Sequence, residues 1–141
     1  MTYLRYLIWI FIITLLYGNV NSAEISLRCL VLIEGRIPSS QSVTIIDISN
    51  NHRVDYLKHD IKRKWPSLQE YDPAQITLHK MTEGITLKKV VSFYNDNTQK
   101  GREMLPIDSI AVYFPDSPSD ICENCIDVAV YVRGEPKRDE L

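Results

Sequence analysis

The sequence predicts an α+β domain, a mixed sheet with one helix packed across it. Two alternating β-branched runs bracket the region, Ile25–Glu34 near its start and Ile126–Arg133 near its end. Between them the apolar period changes to that of an amphipathic helix, over Arg53–Trp65. The chain has 141 residues, 45% hydrophobic and 24% charged, which fits one globular domain and excludes disorder over the whole length. A formal charge of −2 and a pI near 5.9 leave no basic footprint for nucleic acid. Five glycines and seven prolines exclude a collagen-like or low-complexity chain.

The elements follow in order. In Ile25–Glu34, Ile25, Leu27, Cys29, Val31 and Ile33 alternate onto one face, with Ser26, Arg28 and Glu34 on the other. Leu30 and Leu32 on that second face imply that both sides are partly covered. Gly35–Gln41, with Pro38, is a turn, and Ser42–Ile48 is a second β-branched run that completes a hairpin. Val54, Leu57, Ile61 and Trp65 form one helical stripe. Asn50 or Asn51 suits its N-cap, Asp55 its first turn and Lys62, Arg63 and Lys64 its last, and Pro66 ends it. The cations of Lys58–Lys64 read as a solvated helix face rather than a phosphate patch, because Asp60 interrupts them.

Gln75–Met81 is a third strand, with Ile76 and Leu78 inward. Residues 82–103 are ambiguous: Lys88–Tyr94 fits a short strand or a helix, and a polar loop follows. In Met104–Phe114, Pro106 starts a helical turn that buries Leu105, Ile110 and Tyr113 or Phe114. Pro115–Asn124 is loop, and in the last strand Ile126, Val128, Val130 and Val132 share a face. The order β-β-α-β-irregular-β fits a ubiquitin-like β-grasp roll, with the first and last strands side by side at its centre. Leu30 and Met81 are the candidate outward contact positions. The chain divides into residues 1–22, the domain 24–133 and a flexible tail 134–141.

Both ends read as addresses. Arg5 precedes an apolar and aromatic run, Leu7–Tyr17, and small polar residues follow it. This is the layout of a secretory signal peptide, with cleavage after Ser22 or, failing that, Ala23. The run has 11 residues, short of the ~20 that span a bilayer, so no membrane span is expected once it is removed. Roughly 119 residues then remain, enough for one modest core. No Asn-x-Ser/Thr sequon occurs, so N-glycosylation is not expected. The last four residues, Arg138, Asp139, Glu140 and Leu141, form a close variant of the Lys-Asp-Glu-Leu retrieval signal. The expected location is therefore the lumen of the endoplasmic reticulum, with a retrieval receptor holding the C-terminus.

The residues carry little chemistry. Cys122 and Cys125 have the Cys-x-x-Cys spacing of redox pairs, but they lie in a loop before a strand, beside Asp120 and Glu123. A local disulfide or two free thiols fits this setting better than an oxidoreductase. Cys29 reads as a small buried hydrophobe. His52, His59 and His79 are scattered and complete no metal-ligand spacing. No phosphate loop, nucleophile elbow or zinc-protease helix occurs. We expect no enzyme, cofactor or metal.

ISLRCLVLIEG, VDYLKHDIKRKWP, MLPIDSIAVYFPDSP and IDVAVYV, in that order, resemble the N-terminal domain of Crinkler effectors of fungi and oomycetes. The resemblance runs over about residues 25–133 and includes Val54, Leu57, Lys58, Ile61, Lys62 and Pro66 of the helix. It also includes Leu105, Pro106, Tyr113, Phe114, Pro115 and Pro118. It implies a ubiquitin-like fold and a counterpart, degenerate here, of the oomycete translocation motif: Ile76, Thr77, Leu78, His79 and Lys80. The toxic C-terminal domain of a typical Crinkler has no counterpart beyond these motifs in this sequence. The expected function is therefore a non-catalytic protein-interaction module, retrieved to the endoplasmic reticulum. The alternatives are a secreted effector acting in a host cell through protein contacts, and a lumenal thiol-disulfide protein using Cys122 and Cys125.

Overall fold

The computed structural model describes residues 2–17, 23–81, 86, 89, 101–115 and 125–137. Helix α1, Thr2–Tyr17, is apolar, and its residues 2–13 are exposed. Its 16 residues rise about 24 Å, less than a bilayer's hydrocarbon core. No helix among the described residues is long and apolar enough to cross a membrane.

Five strands follow: β1 Glu24–Ile33, β2 Val43–Ser49, β3 Ile76–Lys80, β4 Arg102–Met104 and β5 Val128–Val132. Helix α2, Val54–Lys64, lies in the chain between β2 and β3. The sheet order is β2-β1-β5-β3-β4, so the first and last strands meet at the centre, as the sequence predicts. β1 and β5 are parallel, with Cys29 opposite Val128 and Ile33 opposite Val132, and the remaining pairs are antiparallel.

The sequence pattern accounts for the two layers. The odd-numbered face of β1 packs with Val54, Leu57 and Ile61 of α2 and with Val128, Val130 and Val132 of β5 in the main core. Trp65, the fourth residue of the stripe, is only partly buried at the edge of that core. On the opposite face of the sheet Leu30, Leu32, Ala129 and Ile126 are buried together, with Val43, Met81 and Tyr131 against them. Leu30 is therefore not an outward contact, and Met81 is partly covered.

Five local expectations are corrected. Ile126, expected on the face of Val128, Val130 and Val132, precedes β5 and is buried on the opposite face with Leu30 and Leu32, because the chain bends at Asp127, which is bonded to Arg28. β4 forms where no strand is predicted, because its three residues carry no β-branched pattern and take their register from β3. Leu105 is 49% exposed instead of buried, because the chain turns outward at Leu105–Asp108, closed by an Asp108 N–H bond to the Leu105 carbonyl. The helical turn is Ile110–Val112, capped by the Ser109 hydroxyl and not started by Pro106, and it buries Ile110 as predicted. Finally, neither Asn50 nor Asn51 caps α2: Arg53 holds the N-cap position and makes no side-chain bond there.

Asn50 is buried and acts as a tie between segments. Its Oδ1 accepts from the Ala23 N–H at 3.0 Å, and its Nδ2 donates to the Phe114 and Pro115 carbonyls, each at 3.3 Å. Residues 134–137, where a free tail is expected, lie against the Glu70–Gln75 segment. Gln75 Nε2 donates to the Arg133 and Glu135 carbonyls at 3.0 Å, Lys137 N–H donates to the Glu70 carbonyl, and Lys137 Nζ pairs with Asp72 at 2.5 Å.

Candidate interaction surface

The 105–112 segment is fastened to the start of α2 through main-chain bonds. The first N–H groups of a helix lack partners within it. Here the Asp108 and Pro106 carbonyls accept from Val54 N–H and Asp55 N–H at 2.9 and 3.2 Å, replacing the missing side-chain cap. Ile110 N–H and Ala111 N–H donate to the His52 and Asn50 carbonyls at 2.8 and 2.7 Å, and Ser109 bridges to Arg53. The buried Tyr113 supports the turn from below, accepting from Leu105 N–H and donating to Asp108 at 2.7 Å. Burial and that bond to Asp108 raise the phenol's pKa.

Three apolar side chains of this fastened segment face solvent: Leu105, Ile107 at 77% exposure, and Val112. Tyr56, next to Asp55 on α2, is half exposed and stacks on His52 with ring centroids 4.6 Å apart. The sequence reading missed this patch by assigning Leu105 to the core. The signal was present in Leu105-Pro106-Ile107-Asp108, a proline turn that carries two large aliphatics.

The cations of α2 have specific tasks. Lys58, Lys62 and Lys64 donate to the carbonyls of Pro73, Tyr71 and Ile45 at 3.0, 3.1 and 2.8 Å, and Arg63 pairs with Asp60 at 2.7 Å. Partial burial lowers the Lys58 pKa. The three lysines tie α2 to the segments around it, which neither the solvated-face nor the phosphate reading anticipates, while the Arg63–Asp60 pair lies within the helix.

The other residues singled out from the sequence are dispersed. Ile76, Thr77, Leu78, His79 and Lys80 are β3 itself, paired with β5 on one side and β4 on the other, so the folded domain does not display them as a free segment. Ile76, Leu78 and His79 are buried, and Lys80 donates to the Tyr113 carbonyl with its ammonium 4.9 Å from the Phe114 ring centroid. His79 packs edge-on against Tyr131, and its Nε2 is buried without a hydrogen-bond partner. Cys29 is a free, buried thiol whose pKa burial pushes far above the ordinary range. Cys125 is disulfide-bonded, and Cys122 lies outside the described residues. So do Ser22, Arg138, Asp139, Glu140 and Leu141, whereas Ala23 is hydrogen-bonded to Asn50. Among the described residues no three metal-ligating side chains come together.

A mixed five-stranded sheet of this order, with α2 on one face, defines an α+β domain of ubiquitin-like type. Residues 25–131 match the family model of the Crinkler effector protein N-terminal domain, and the chain belongs to that family of effector-type modules. No curated protein matches the chain.

Proposed function

We propose that this domain is a non-catalytic protein-interaction module whose contact surface is the Leu105, Ile107, Val112 and Tyr56 patch. The observation that carries the reading is the pairing of exposure with rigidity. Large apolar side chains stand in solvent on a segment tied by main-chain bonds to α2, so little ordering would accompany contact. The test is affinity capture with Ile107→Asp against wild type. A co-purifying protein lost in Ile107→Asp, at unchanged circular dichroism, supports the reading; identical recovery overturns it.

The same proposal places the module in the secretory pathway, retrieved through Arg138–Leu141. Retaining Ala23 after cleavage keeps the bond that joins the start of β1 to Asn50, which supports cleavage after Ser22. A tag inserted after Ala23 leaves Leu141 terminal, and a chain ending at Lys137 is the control. Reticular signal that becomes secretion in the control supports retrieval. Secretion of both favours an exported effector acting in a host cell through the same contacts.

A further inference from the structure

The register of β1 and β2 shows which main-chain groups of β2 are spare. Asn50 N–H donates to the Ala23 carbonyl, so Ala23 and Asn50 form a hydrogen-bonded pair one step beyond Glu24 and Ser49. Antiparallel pairs alternate, so Ile48, Ile46 and Thr44 point their main-chain groups at β1. Those of Val43, Ile45 and Asp47 point away from it. Two observations agree. Arg28, opposite Ile45, turns its main-chain groups to Asp127 on its other side: its carbonyl accepts from the Asp127 N–H, and its N–H donates to the Asp127 carboxylate. The Ile45 carbonyl is free to accept from Lys64 Nζ at 2.8 Å. β2 ends the sheet order, so among the described residues no strand takes these groups.

Such an edge is its own complement. A second copy turned antiparallel about Ile45 sets Val43 opposite Asp47 and Ile45 opposite Ile45, so each outward N–H meets a carbonyl. No like charges stand directly opposite in this register. It also covers Ile45, a β-branched side chain left 52% exposed. Lys64 stands in the way twice. Its ammonium occupies the Ile45 carbonyl that the second copy would use, and two-fold pairing about Ile45 would bring two such ammoniums together. The neighbouring cations do not duplicate this, since Lys62 is bound at Tyr71 and Arg63 at Asp60.

We propose that the β2 edge is a strand-pairing surface for a second copy of this chain, held closed by the Lys64 ammonium on the Ile45 carbonyl. Removing that charge opens the edge and converts monomer to a symmetric dimer through β2.

Sedimentation velocity over a concentration series tests this on the full chain. Wild type and Lys64→Arg should keep one sedimentation coefficient throughout, whereas Lys64→Ala should shift toward twice the mass as concentration rises. Ile45→Pro removes an outward N–H without touching the β1 ladder, so Lys64→Ala/Ile45→Pro should return to monomer. Amide exchange gives a second readout: Val43, Ile45 and Asp47 should slow at least tenfold in concentrated Lys64→Ala and remain fast in wild type. A Lys64→Ala chain that stays monomeric with fast exchange overturns the proposal. So does association that survives Ile45→Pro, since contact through the apolar α1 would respond to neither substitution.

Discussion

Replacing Asn50 by alanine should destabilise the domain by about 2–4 kcal/mol, far more than its place in a surface turn would suggest. Three bonds vanish together: one from Ala23 N–H at 3.0 Å and two from Nδ2 to the Phe114 and Pro115 carbonyls at 3.3 Å. The Ala23 N–H loses its acceptor in a partly buried site, at roughly 1–3 kcal/mol, and the two longer bonds contribute the rest. Alanine also leaves a void where the amide was fully enclosed. With a urea m-value on the order of 1.5 kcal/mol/M, the unfolding midpoint should fall by roughly 2 M, read by far-ultraviolet circular dichroism. Asn50→Asp separates the two halves of the tie, because it keeps the acceptor for Ala23 and sets a carboxylate against two carbonyl oxygens. In the chain that retains residues 1–22, where the Ala23 nitrogen is an uncharged amide, burial beside those oxygens raises that carboxyl's folded pKa, so its stability deficit is present above that pKa and shrinks as pH falls through it. Asn50→Asp should therefore recover toward wild type in acid while Asn50→Ala does not. A midpoint shift under about 0.5 M for Asn50→Ala, or pH-independent loss in Asn50→Asp, would refute the hub.

Three further outcomes are expected. Native protein should resist alkylation at Cys29, whose buried thiol is held protonated; after unfolding without reductant, mass spectrometry should find one alkylated cysteine, Cys29, and a Cys122–Cys125 disulfide. Gly101→Ala should cost on the order of 1–3 kcal/mol and lower the melting temperature, because Gly101 has φ +90° and an added Cβ would meet the Lys80 carbonyl oxygen at 2.5 Å; an unchanged melting curve would refute the strain. Burial raises the Asp127 carboxyl's pKa against the opposing bond from Arg28 N–H, so the ionised form weakens the fold as pH rises through that folded pKa. Asp127→Asn should accordingly be more stable than wild type at neutral pH, by less than ~1 kcal/mol for this half-exposed group, and equal to it in acid, as urea midpoints across pH would show.

Periodicity made the centre of the fold legible. The β1 and β5 runs have no polar residue on their inner faces, so both had to be central, and Leu30 and Leu32 correctly implied a covered second face. What stayed hidden has no periodic signature. Arg102-Glu103-Met104 is too short and too polar to announce a strand, and pairs only because Leu78–Lys80 lies beside it. Asn50 has the composition of a cap, yet whether an amide caps its own helix or joins distant segments depends on Phe114 and Pro115. The lysines of α2 resemble any cationic helix end, and only the tertiary arrangement reveals a carbonyl within reach of each. The exposed Leu105 escapes the sequence for a related reason: a leucine there suits a core, and an outward turn is a property of Tyr113 and Asp108 together.

The parallel contact of β1 with β5 also determines how the domain bears load. The chain enters β1 at Glu24 and leaves β5 at Val132, and the two strands run the same way, so these points lie at opposite poles. Tension between Ala23 and Arg133 therefore runs along the paired strands and stresses the ladder from Cys29–Val128 to Ile33–Val132 in shear, with its bonds sharing the force. An antiparallel hairpin pulled from its open end instead unzips one rung at a time. A machine drawing this chain through a narrow pore by either end would meet its principal mechanical barrier at the β1–β5 ladder.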